Sequence, residues 1–384
     1  MTAAGGIVVG RALQQRRTPD PNTWVGKGKV GEIAIEREAL GADLVVCDEE
    51  LTSTQQRKLE ELWGVAVLDR SAVILDIFAQ HATSKEGRLQ VEVAQLEYRL
   101  PRLTGSRKGL SRLGGGIGTR GPGETKLESE RQVIRTRLHE LKQKVALMAA
   151  QRERGRLSRA KDGLFQVALV GYTNAGKSTL LNALAGSAVL VADQPFATLD
   201  PTTRRAALPN GTVVLLSDTV GFVNKLPPTL VAAFRATLEE MSDADLLVHV
   251  VDAPHANLRE RIAVVDATLA TLGLGYREQL LVLNKADALP GALQTALEAE
   301  FPGAVFISSR EGTGLEVLCS QIGDAAARRW THVALTVPHQ AGALVQRIRE
   351  RGSLQRVDYV ERGIELEADV PPELLAELRA AALP

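Results

Sequence analysis

Short apolar runs alternate with helical patterns over the first 82 residues of the chain. Residues 6–9, 43–46 and 65–68 form runs that predict strands, and residues 32–40 and 52–63 between them have helical spacing. Parallel strands need a crossover between them, and a helix is the usual crossover. The alternation therefore predicts a small parallel α/β subdomain over residues 1–82.

Two heptad-like apolar stripes follow and predict a helical hairpin over residues 83–161. The first stripe consists of Leu89, Val93, Leu96, Leu100 and Leu103, and the second of Leu127, Ile134, Leu138, Leu141, Val145 and Met148. Pro101 is expected to end or kink the first helix. The tip between them is rich in Gly, Arg and Lys. Residues 116–121 in this tip match G-x-G-x-x-G, but no strand precedes them, so a dinucleotide site is rejected.

The α/β alternation resumes near residue 164. Strands are predicted at residues 165–170, 212–217, 245–251, 279–284 and 304–308, with helical patterns between most of them, which indicates an α/β domain over residues 162–330. The tail over residues 331–384 has the order strand, helix, strand, strand, helix. Its two adjacent strands, at 353–360 and 363–370, predict a hairpin within a small α+β domain.

Composition excludes several classes of protein. The 384 residues are 45% hydrophobic and 24% charged, which is typical of globular domains. No apolar run is long enough to span a membrane, and the first residues lack the features of a secretory signal. The two cysteines, Cys47 and Cys319, lack neighbours at ligand spacing, so neither zinc nor a disulfide framework is expected. We expect a cytoplasmic protein, with association to ribosomes or membranes left open.

The formal net charge of zero conceals a strongly basic segment. Between Arg99 and Lys161 there are 17 Lys and Arg against five acidic residues, a surplus of 12, so the remaining chain carries −12. Such asymmetry indicates binding to nucleic acid or to an anionic membrane. The alternative is a solvated helical surface with an excess of Arg.

A match to G-x-x-x-x-G-K-[ST] indicates a phosphate-binding loop. The matching residues are Gly171, Tyr172, Thr173, Asn174, Ala175, Gly176, Lys177 and Ser178, followed by Thr179. An apolar strand precedes the match and a helical pattern follows it, which is the context that the motif needs. In such loops backbone N–H groups surround the phosphates. Lys177 is expected to reach the outer phosphates, and Ser178 to ligate Mg²⁺.

Three further segments follow in the order that is typical of GTPases. They are Asp218, Thr219, Val220 and Gly221; then Asn284, Lys285, Ala286 and Asp287; then Ser308, Ser309 and Arg310. Asp218 is expected to hold Mg²⁺ through water, and the Gly221 N–H to sense a γ-phosphate. Asp287 can accept two hydrogen bonds from guanine, a donor pair that adenine lacks. The last segment could close over the base.

Two positions leave alternatives open. A switch loop needs one threonine on Mg²⁺, and Thr198, Thr202 and Thr203 compete for that role by position. Phe222 follows Gly221, where Ras-like GTPases place a glutamine that orients the attacking water. Phenylalanine cannot hydrogen-bond to water, so we predict slow intrinsic hydrolysis and a stimulating element supplied in trans. The alternative is that Phe222 packs and an internal polar group orients the water.

At this point the sequence resembles the HflX family of ribosome-associated GTPases, over nearly its whole length. The resemblance lies in ILDIFAQ at residues 74–80, LEYRLPRL at 96–103 and GGGIGTRGPGET at 114–125, followed by GYTNAGKS, FATLD, DTVGF and NKAD in the family order. It implies a GTPase fold between an N-terminal HflX domain and a small C-terminal domain. It also implies that Thr198 is the switch threonine on Mg²⁺, with Ser178 as the second protein ligand.

The resemblance also implies a nucleotide site and a catalytic set. The switch segment is Phe196, Ala197, Thr198, Leu199 and Asp200, and the groups expected to act on the reacting phosphate are Lys177, Thr198 and Gly221. Some family members are reported to accept ATP as well as GTP. In several GTPases with a similar loop an asparagine at the position of Asn174 helps to hold K⁺; a hydrogen bond within the phosphate loop is the alternative.

Family members bind the large ribosomal subunit in the GTP state and split stalled or hibernating ribosomes, so ribosomal RNA becomes the expected partner of the basic segment. The expected contacts are Arg107, Lys108, Arg112, Arg120, Arg152, Arg154 and Arg156. Few aromatic residues lie in this segment, so recognition of phosphates and shape is favoured over base stacking. Two other functions stay open for what we expect to be a monomer: a ribosome-assembly GTPase, or a nucleotide-gated RNA-binding switch with negligible turnover.

Overall fold

The computed structural model describes residues 4–103, 122–161, 164–186, 202–222 and 241–383, without the side chains of residues 122–126, 153, 155–161 and 373. The chain divides into two compact units, residues 1–148 with 227–234, and residues 149–226 with 235–384. The labels below number the described elements of each unit in chain order.

The first unit begins with a small parallel α/β arrangement. Its elements are α1 (Lys27–Leu40), β1 (Leu44–Cys47), α2 (Ser53–Trp63), β2 (Ala66–Asp69) and α3 (Arg70–His81). β1 and β2 pair in parallel, with Leu44 opposite Ala66. Leu59, Trp63 and Val67 form part of the core between the sheet and the helices.

The prediction of a strand at residues 6–9 is wrong. These residues lie outside regular secondary structure, and the side chain of Ile7 is 88% exposed. A short apolar run forms a strand only where a neighbouring strand and a covering layer are present. Among the described residues β1 and β2 form a sheet of two strands only.

Two helices lie where the sequence predicts the helical hairpin. α4 (Lys85–Arg99) passes into a 3₁₀ turn at Leu100–Arg102 that contains Pro101, and α5 (Pro122–Lys161) follows. The apolar stripe predicted on the second helix coincides with partly or fully buried positions, and Leu138 and Leu141 are buried. Arg137 pairs with Glu92 of α4 at 2.9 Å and Lys142 with Glu97 at 2.7 Å. The Gly/Arg-rich tip and its G-x-G-x-x-G match lie outside the described residues.

The second unit carries a six-stranded sheet, which confirms the α/β fold class. Its elements are β3 (Phe165–Val170), α6 (Lys177–Ala185), β4 (Thr202–Ala207), β5 (Val213–Asp218), β6 (Leu246–Asp252), α7 (Leu258–Thr271), β7 (Gln279–Asn284), α8 (Gly291–Glu300), β8 (Val305–Phe306) and α9 (Leu315–Ala327). Among the described residues of this unit, the strand order is β4-β5-β3-β6-β7-β8, and only the pairing of β4 with β5 is antiparallel. The carboxyl ends of the parallel strands therefore meet at one edge.

The same unit ends in a small α+β module with the predicted order of elements. They are β9 (Thr331–Val337), α10 (Gly342–Arg351), β10 (Ser353–Val360), β11 (Gly363–Val370) and α11 (Pro372–Ala381). The three strands form an antiparallel sheet with β11 in the centre, and Val337, Ile348 and Leu378 are buried in its core. Across the described parts of both units, every helix is too short or too polar to cross a membrane.

Candidate nucleotide site

The loop between β3 and α6 adopts a backbone conformation that its two glycines make possible. Gly171 and Gly176 have φ values of 152° and 94°, which L-residues rarely adopt. A Cβ at Gly171 would lie 2.1 Å from the Val250 carbonyl oxygen, and one at Gly176 would lie 2.2 Å from Nδ2 of Asn284. Both glycines are therefore required by space as well as by φ. Gly176 precedes α6, so the positive end of the helix dipole faces the loop.

Lys177 is the charged group at the centre of this loop. Its side chain is buried, and Nζ donates to the carbonyl oxygens of Gly171 at 3.2 Å and Tyr172 at 3.1 Å. Burial lowers the pKa of Lys177 to about 8, although the carboxylate of Asp218 opposes the shift. A bound phosphate would add negative charge to that of Asp218 and so favour the charged form of this buried ammonium group.

Ser178 and Asp218 offer a pair of oxygen ligands. Ser178 Oγ donates to Asp218 Oδ2 at 2.6 Å, and Asp218 lies buried at the end of β5. A hydroxyl beside a carboxylate, next to a phosphate-binding loop, suits Mg²⁺, which prefers oxygen ligands and usually shares them with substrate phosphates. The donor set therefore fits Mg²⁺. When bound, that ion would neutralise charge on the phosphate oxygens.

Asn284, at the end of β7, ties two loops together. Its Nδ2 donates to the Ala175 carbonyl at 2.8 Å, and its Oδ1 accepts from the backbone N–H of Ser309 at 3.0 Å and from Ser309 Oγ at 2.9 Å. All polar atoms of this amide have partners within the protein. The motif residue Asn284 therefore connects the phosphate loop to the segment that contains Ser309.

Lys285 spans the site on the exposed side. Its backbone is left-handed, with φ of 62°, and Nζ donates to the Asn174 carbonyl at 3.0 Å and to Asp252 Oδ2 at 2.8 Å. Asp287 follows in the 3₁₀ turn Ala286–Ala288 and is exposed, so its carboxylate is available for a ligand. Ser308 and Ser309 are buried, and Arg310 is exposed.

The segment after β5 pairs with the phosphate loop through its backbone. Thr173 N–H donates to the Phe222 carbonyl and Phe222 N–H to the Gly171 carbonyl, both at 3.0 Å. Gly221 lies so close to Thr173 that a Cβ would come within 2.8 Å of Thr173 Cα. The side chain of Phe222 is 5% exposed and packs with Met241, Leu247 and Leu269. In this arrangement Phe222 anchors the segment by packing, which is compatible with both alternatives for the group that orients the water.

His249 is a buried histidine in β6 that the motifs do not indicate. Its side chain is 2% exposed, its Nε2 atom has no hydrogen-bond partner among the described residues, and its Nδ1 lies 3.7 Å from Asp266 Oδ1. Burial, with a smaller contribution from the charge of Lys177, lowers the pKa of His249 to about 4. The imidazole is therefore neutral at physiological pH.

Some of the remaining predicted site residues lie in parts of the chain that the structure does not describe. Residues 196–200, with Thr198, and the expected RNA contacts Arg107, Lys108, Arg112 and Arg120 lie outside the described residues. Of the other two threonines, Thr203 Oγ1 contacts Ser217 Oγ at 3.0 Å and Thr202 lies opposite Asp218 in the strand pair. Both belong to β4, which the sequence analysis missed by assigning them to a loop.

The other described residues lie in or beside the loop. Tyr172 is half-buried and its ring faces the guanidinium of Arg261 at 4.7 Å. Thr219 Oγ1 donates to the Leu169 carbonyl at 2.6 Å, and Val220 is buried. Ala175 is buried, Thr179 half-buried and Asn174 exposed. Of the basic residues on α5, Arg154 donates to the Ala150 carbonyl at 3.3 Å and Arg152 is half-buried; the side chain of Arg156 is not described.

Sequence reasoning missed Asp252 and His249. Asp252 ends β6 as Asp218 ends β5, and a polar residue at the carboxyl end of a buried parallel strand is a signal for a site. That signal could have found Asp252 as the partner of Lys285. No sequence pattern distinguishes His249 from a histidine that packs in a core.

Three family models match consecutive parts of the chain. They are described as the GTP-binding GTPase N-terminal region over residues 1–79, the GTP-binding GTPase middle region over residues 81–159 and a 50S ribosome-binding GTPase over residues 166–285. The chain is 44% identical over 376 residues to the GTPase HflX of Caldanaerobacter subterraneus subsp. tengcongensis, covering 98% of this chain and 87% of the relative. It is 41% identical over 360 residues to GTPase HflX of Escherichia coli K12, covering 93% and 84%.

A solved structure is also similar. It is a GTP-binding protein from the archaeon Sulfolobus solfataricus in complex with GDP, 24% identical, with 82% of this chain and 89% of that chain covered and a TM-score of 0.43.

Proposed function

Because the chain belongs to the HflX family of GTPases and so hydrolyses GTP, we propose that it binds the large ribosomal subunit in the GTP state and splits stalled or hibernating ribosomes. The charge distribution of its own sequence supports an RNA-containing partner. The segment from Arg99 to Lys161 carries a surplus of 12 positive charges, and the rest of the chain carries the opposite charge. A surplus of that size suits a polyanion.

One structural observation carries the proposal of a partner that stimulates hydrolysis. Phe222 occupies the position of the usual water-orienting glutamine, and its side chain is buried in a hydrophobic cluster with Met241, Leu247 and Leu269. An apolar anchor cannot orient water, so a polar group must come from elsewhere. Charge stabilisation supplied by a partner raises GTP hydrolysis by roughly 10³–10⁵-fold in related enzymes.

The site residues are proposed to act as follows. Lys177 contacts the outer phosphates of GTP, Ser178 and Thr198 ligate Mg²⁺, Asp218 holds its water shell, and the Gly221 N–H contacts the γ-phosphate. Asp287 selects guanine, and its exposed carboxylate beside the bridge made by Lys285 supports that role. Asn174 is exposed with φ of 62°, which leaves its side chain available for K⁺. Equal hydrolysis rates in Na⁺ and K⁺ would exclude that cation role.

A nucleotide-gated RNA-binding switch is the second candidate, and the buried Phe222 favours it because intrinsic turnover should be slow. We propose that the protein acts as a monomer in the cytoplasm under either function. Acceptance of ATP in place of GTP is a further proposal. An ATP competition assay in which tenfold excess ATP leaves GTP hydrolysis unchanged would reject it.

The decisive experiment combines two measurements. Turnover of GTP is measured with and without large subunits, and light scattering of 70S ribosomes is followed after the protein and GTP are added. We expect large subunits to raise turnover at least several-fold, and scattering to fall. Turnover that stays low with subunits would favour the switch. Stimulated turnover with constant scattering would favour a role in subunit assembly.

A further inference from the structure

Arg102 belongs to the basic segment by sequence, but its side chain is turned into the protein. Nε donates to Gln56 Oε1 at 2.9 Å, Nη1 to the Tyr98 carbonyl at 3.1 Å, and Nη2 to the Leu51 carbonyl at 2.7 Å. The guanidinium also lies 3.6 Å from the centroid of the Tyr98 ring. These contacts occupy the guanidinium, so Arg102 is not a phosphate contact.

The anion that balances Arg102 is Asp69, which is fully buried at the end of β2. Its carboxylate accepts from Arg102 Nη2 and Tyr98 Oη at 2.9 Å each, from Ala72 N–H at 2.9 Å and from Leu51 N–H at 3.3 Å. A buried carboxylate with four donors is satisfied, and removing one partner leaves an uncompensated charge. We call Leu51, Gln56, Asp69, Tyr98 and Arg102 the Asp69 network.

The network lies where the α/β part of the first unit meets the hairpin. Asp69 caps α3 and ends β2, Gln56 belongs to α2 and donates to the Val67 carbonyl, and Tyr98 lies in the last turn of α4. Arg102 immediately precedes Leu103, whose carbonyl accepts from Arg131 Nη2 of α5 at 2.8 Å. The end of α4 is therefore fixed to the α/β part on one side and to α5 on the other.

We infer that Asp69, Tyr98 and Arg102 are positioning residues for ribosome binding, because they hold the end of α4 rigid before RNA is met. This inference rests on the proposed function. Ordering side chains and backbone when an interface forms costs free energy and weakens binding. A helix end that is already ordered before binding avoids that cost, so binding is tighter. The hydrogen bonds of the Asp69 network form in the folded protein without a ligand, so the end of α4 is ordered before binding.

The test uses the full-length protein and co-sedimentation with large subunits, in a non-hydrolysable GTP analogue, over a series of salt concentrations. Arg102→Lys keeps the charge but loses the fork of donors, and Arg99→Lys is the matched control at an exposed position of the same turn. We expect Arg102→Lys to weaken binding roughly tenfold, the effect of losing pre-ordering of one or two side chains. The dependence of binding on salt should stay that of the unchanged protein.

The salt dependence separates positioning from direct contact. If Arg102 touched a phosphate, Arg102→Gln, which removes the charge, would lower the slope of log K against log salt by about one. Such a fall, or unchanged affinity in a folded Arg102→Lys variant, overturns the inference. If Arg102→Lys fails to fold, Tyr98→Phe replaces it, because it removes one hydrogen bond and keeps the ring under the guanidinium. Hydrogen exchange at the end of α4 should rise in either variant.

One more variant separates this inference from the proposed function. Reversing the charges of Arg107, Lys108 and Arg112 tests the RNA contact itself in the same assay. Loss of binding there with unchanged binding in Arg102→Lys rejects only the positioning role. Unchanged binding in the charge-reversed variant rejects the RNA assignment and the positioning role together.

Discussion

The Asp69 network and the nucleotide site are both buried polar clusters, one in each compact unit, but they differ in what satisfies them. Asp69 and Arg102 have their partners within the protein. In the nucleotide site, Lys177 is held by carbonyls of its own loop, its pKa is lowered to about 8 by burial, and Nε2 of His249 lacks a partner among the described residues.

This difference separates polar groups that stabilise the fold from polar groups that a bound ligand would satisfy. A satisfied network stabilises the folded chain and gains little from a bound ion. The buried Lys177 ammonium donates its hydrogen bonds to neutral carbonyls, and the charge of Asp218 offsets its desolvation only in part, so a phosphate would favour it further. Removing a polar group should therefore cost stability in the first cluster and activity in the second.

The largest effect is expected from Lys177→Ala, which tests the nucleotide side of the comparison. Hydrolysis should fall by about 10²–10³-fold, the usual effect of removing one group that stabilises charge in the transition state. The unfolding free energy of the nucleotide-free protein should not fall, because burial disfavours the charged lysine in the folded state more than Asp218 favours it. Single-turnover hydrolysis and urea unfolding of nucleotide-free protein measure the two quantities.

The control for Lys177→Ala is Lys144→Ala, at an exposed position of α5. It should leave hydrolysis and stability unchanged. Loss of several kcal/mol of stability in Lys177→Ala would show that the lysine holds the fold, and the distinction between the two clusters would then be lost.

The second prediction concerns His249, which faces Asp266 of α7 and feels the charge of Lys177 of α6. Its pKa is lowered to about 4 in the folded protein from an ordinary value of 6.5. Between those values the unfolded chain binds a proton that the folded chain does not, so stability is lost as pH falls. From pH 7 to pH 5 the loss should be about 2 kcal/mol.

His249→Leu should remove this part of the pH dependence, because leucine has no proton to gain. Urea unfolding at pH 7 and pH 5 measures it, and His139→Leu, at an exposed position of α5, is the control. A burial that raises the pKa of Asp266 contributes a second, separate dependence, which His249→Leu leaves in place. A His249→Leu profile identical to that of the unchanged protein would refute the prediction.

Some strands of the fold follow from the sequence pattern, and others do not. The apolar runs at residues 165–170, which are almost entirely buried, and 279–284, which are buried in their second half, were predicted with the bounds that β3 and β7 have. β4 was missed because Thr202–Ala207 is polar, antiparallel and at the sheet edge, so its pattern is not that of a buried strand. The run at residues 6–9 failed for the opposite reason, since apolar side chains alone do not supply a pairing strand.

The sequence predicts the part of the candidate site whose residues lie together in one loop. Glycine spacing and a following lysine indicate a phosphate loop, because those residue types are required by φ and by charge. The long-range partners were not predictable. Asn284 reaches Ala175 and Ser309, and Asp69 reaches Arg102, across separations that no local pattern records. Arg102 was therefore counted with the basic surface, although its partners lie inside.

The smallest expected effect comes from a matched pair of hydroxyl deletions, one in each cluster. Burial raises the pKa of Tyr98, so its hydroxyl stays protonated and donates to Asp69. Tyr98→Phe should cost about 1–2 kcal/mol of unfolding free energy, because a buried carboxylate loses one donor. Ser178→Ala also removes a donor from a buried carboxylate, but its Oγ is the proposed Mg²⁺ ligand. It should therefore reduce GTP hydrolysis far more than it reduces stability. Urea unfolding and single-turnover hydrolysis of both variants measure this contrast, and unchanged hydrolysis in Ser178→Ala would contradict it. Unchanged stability in Tyr98→Phe would show that the Asp69 network tolerates the loss of a donor. Its hydrogen bonds would then not distinguish it from the nucleotide site.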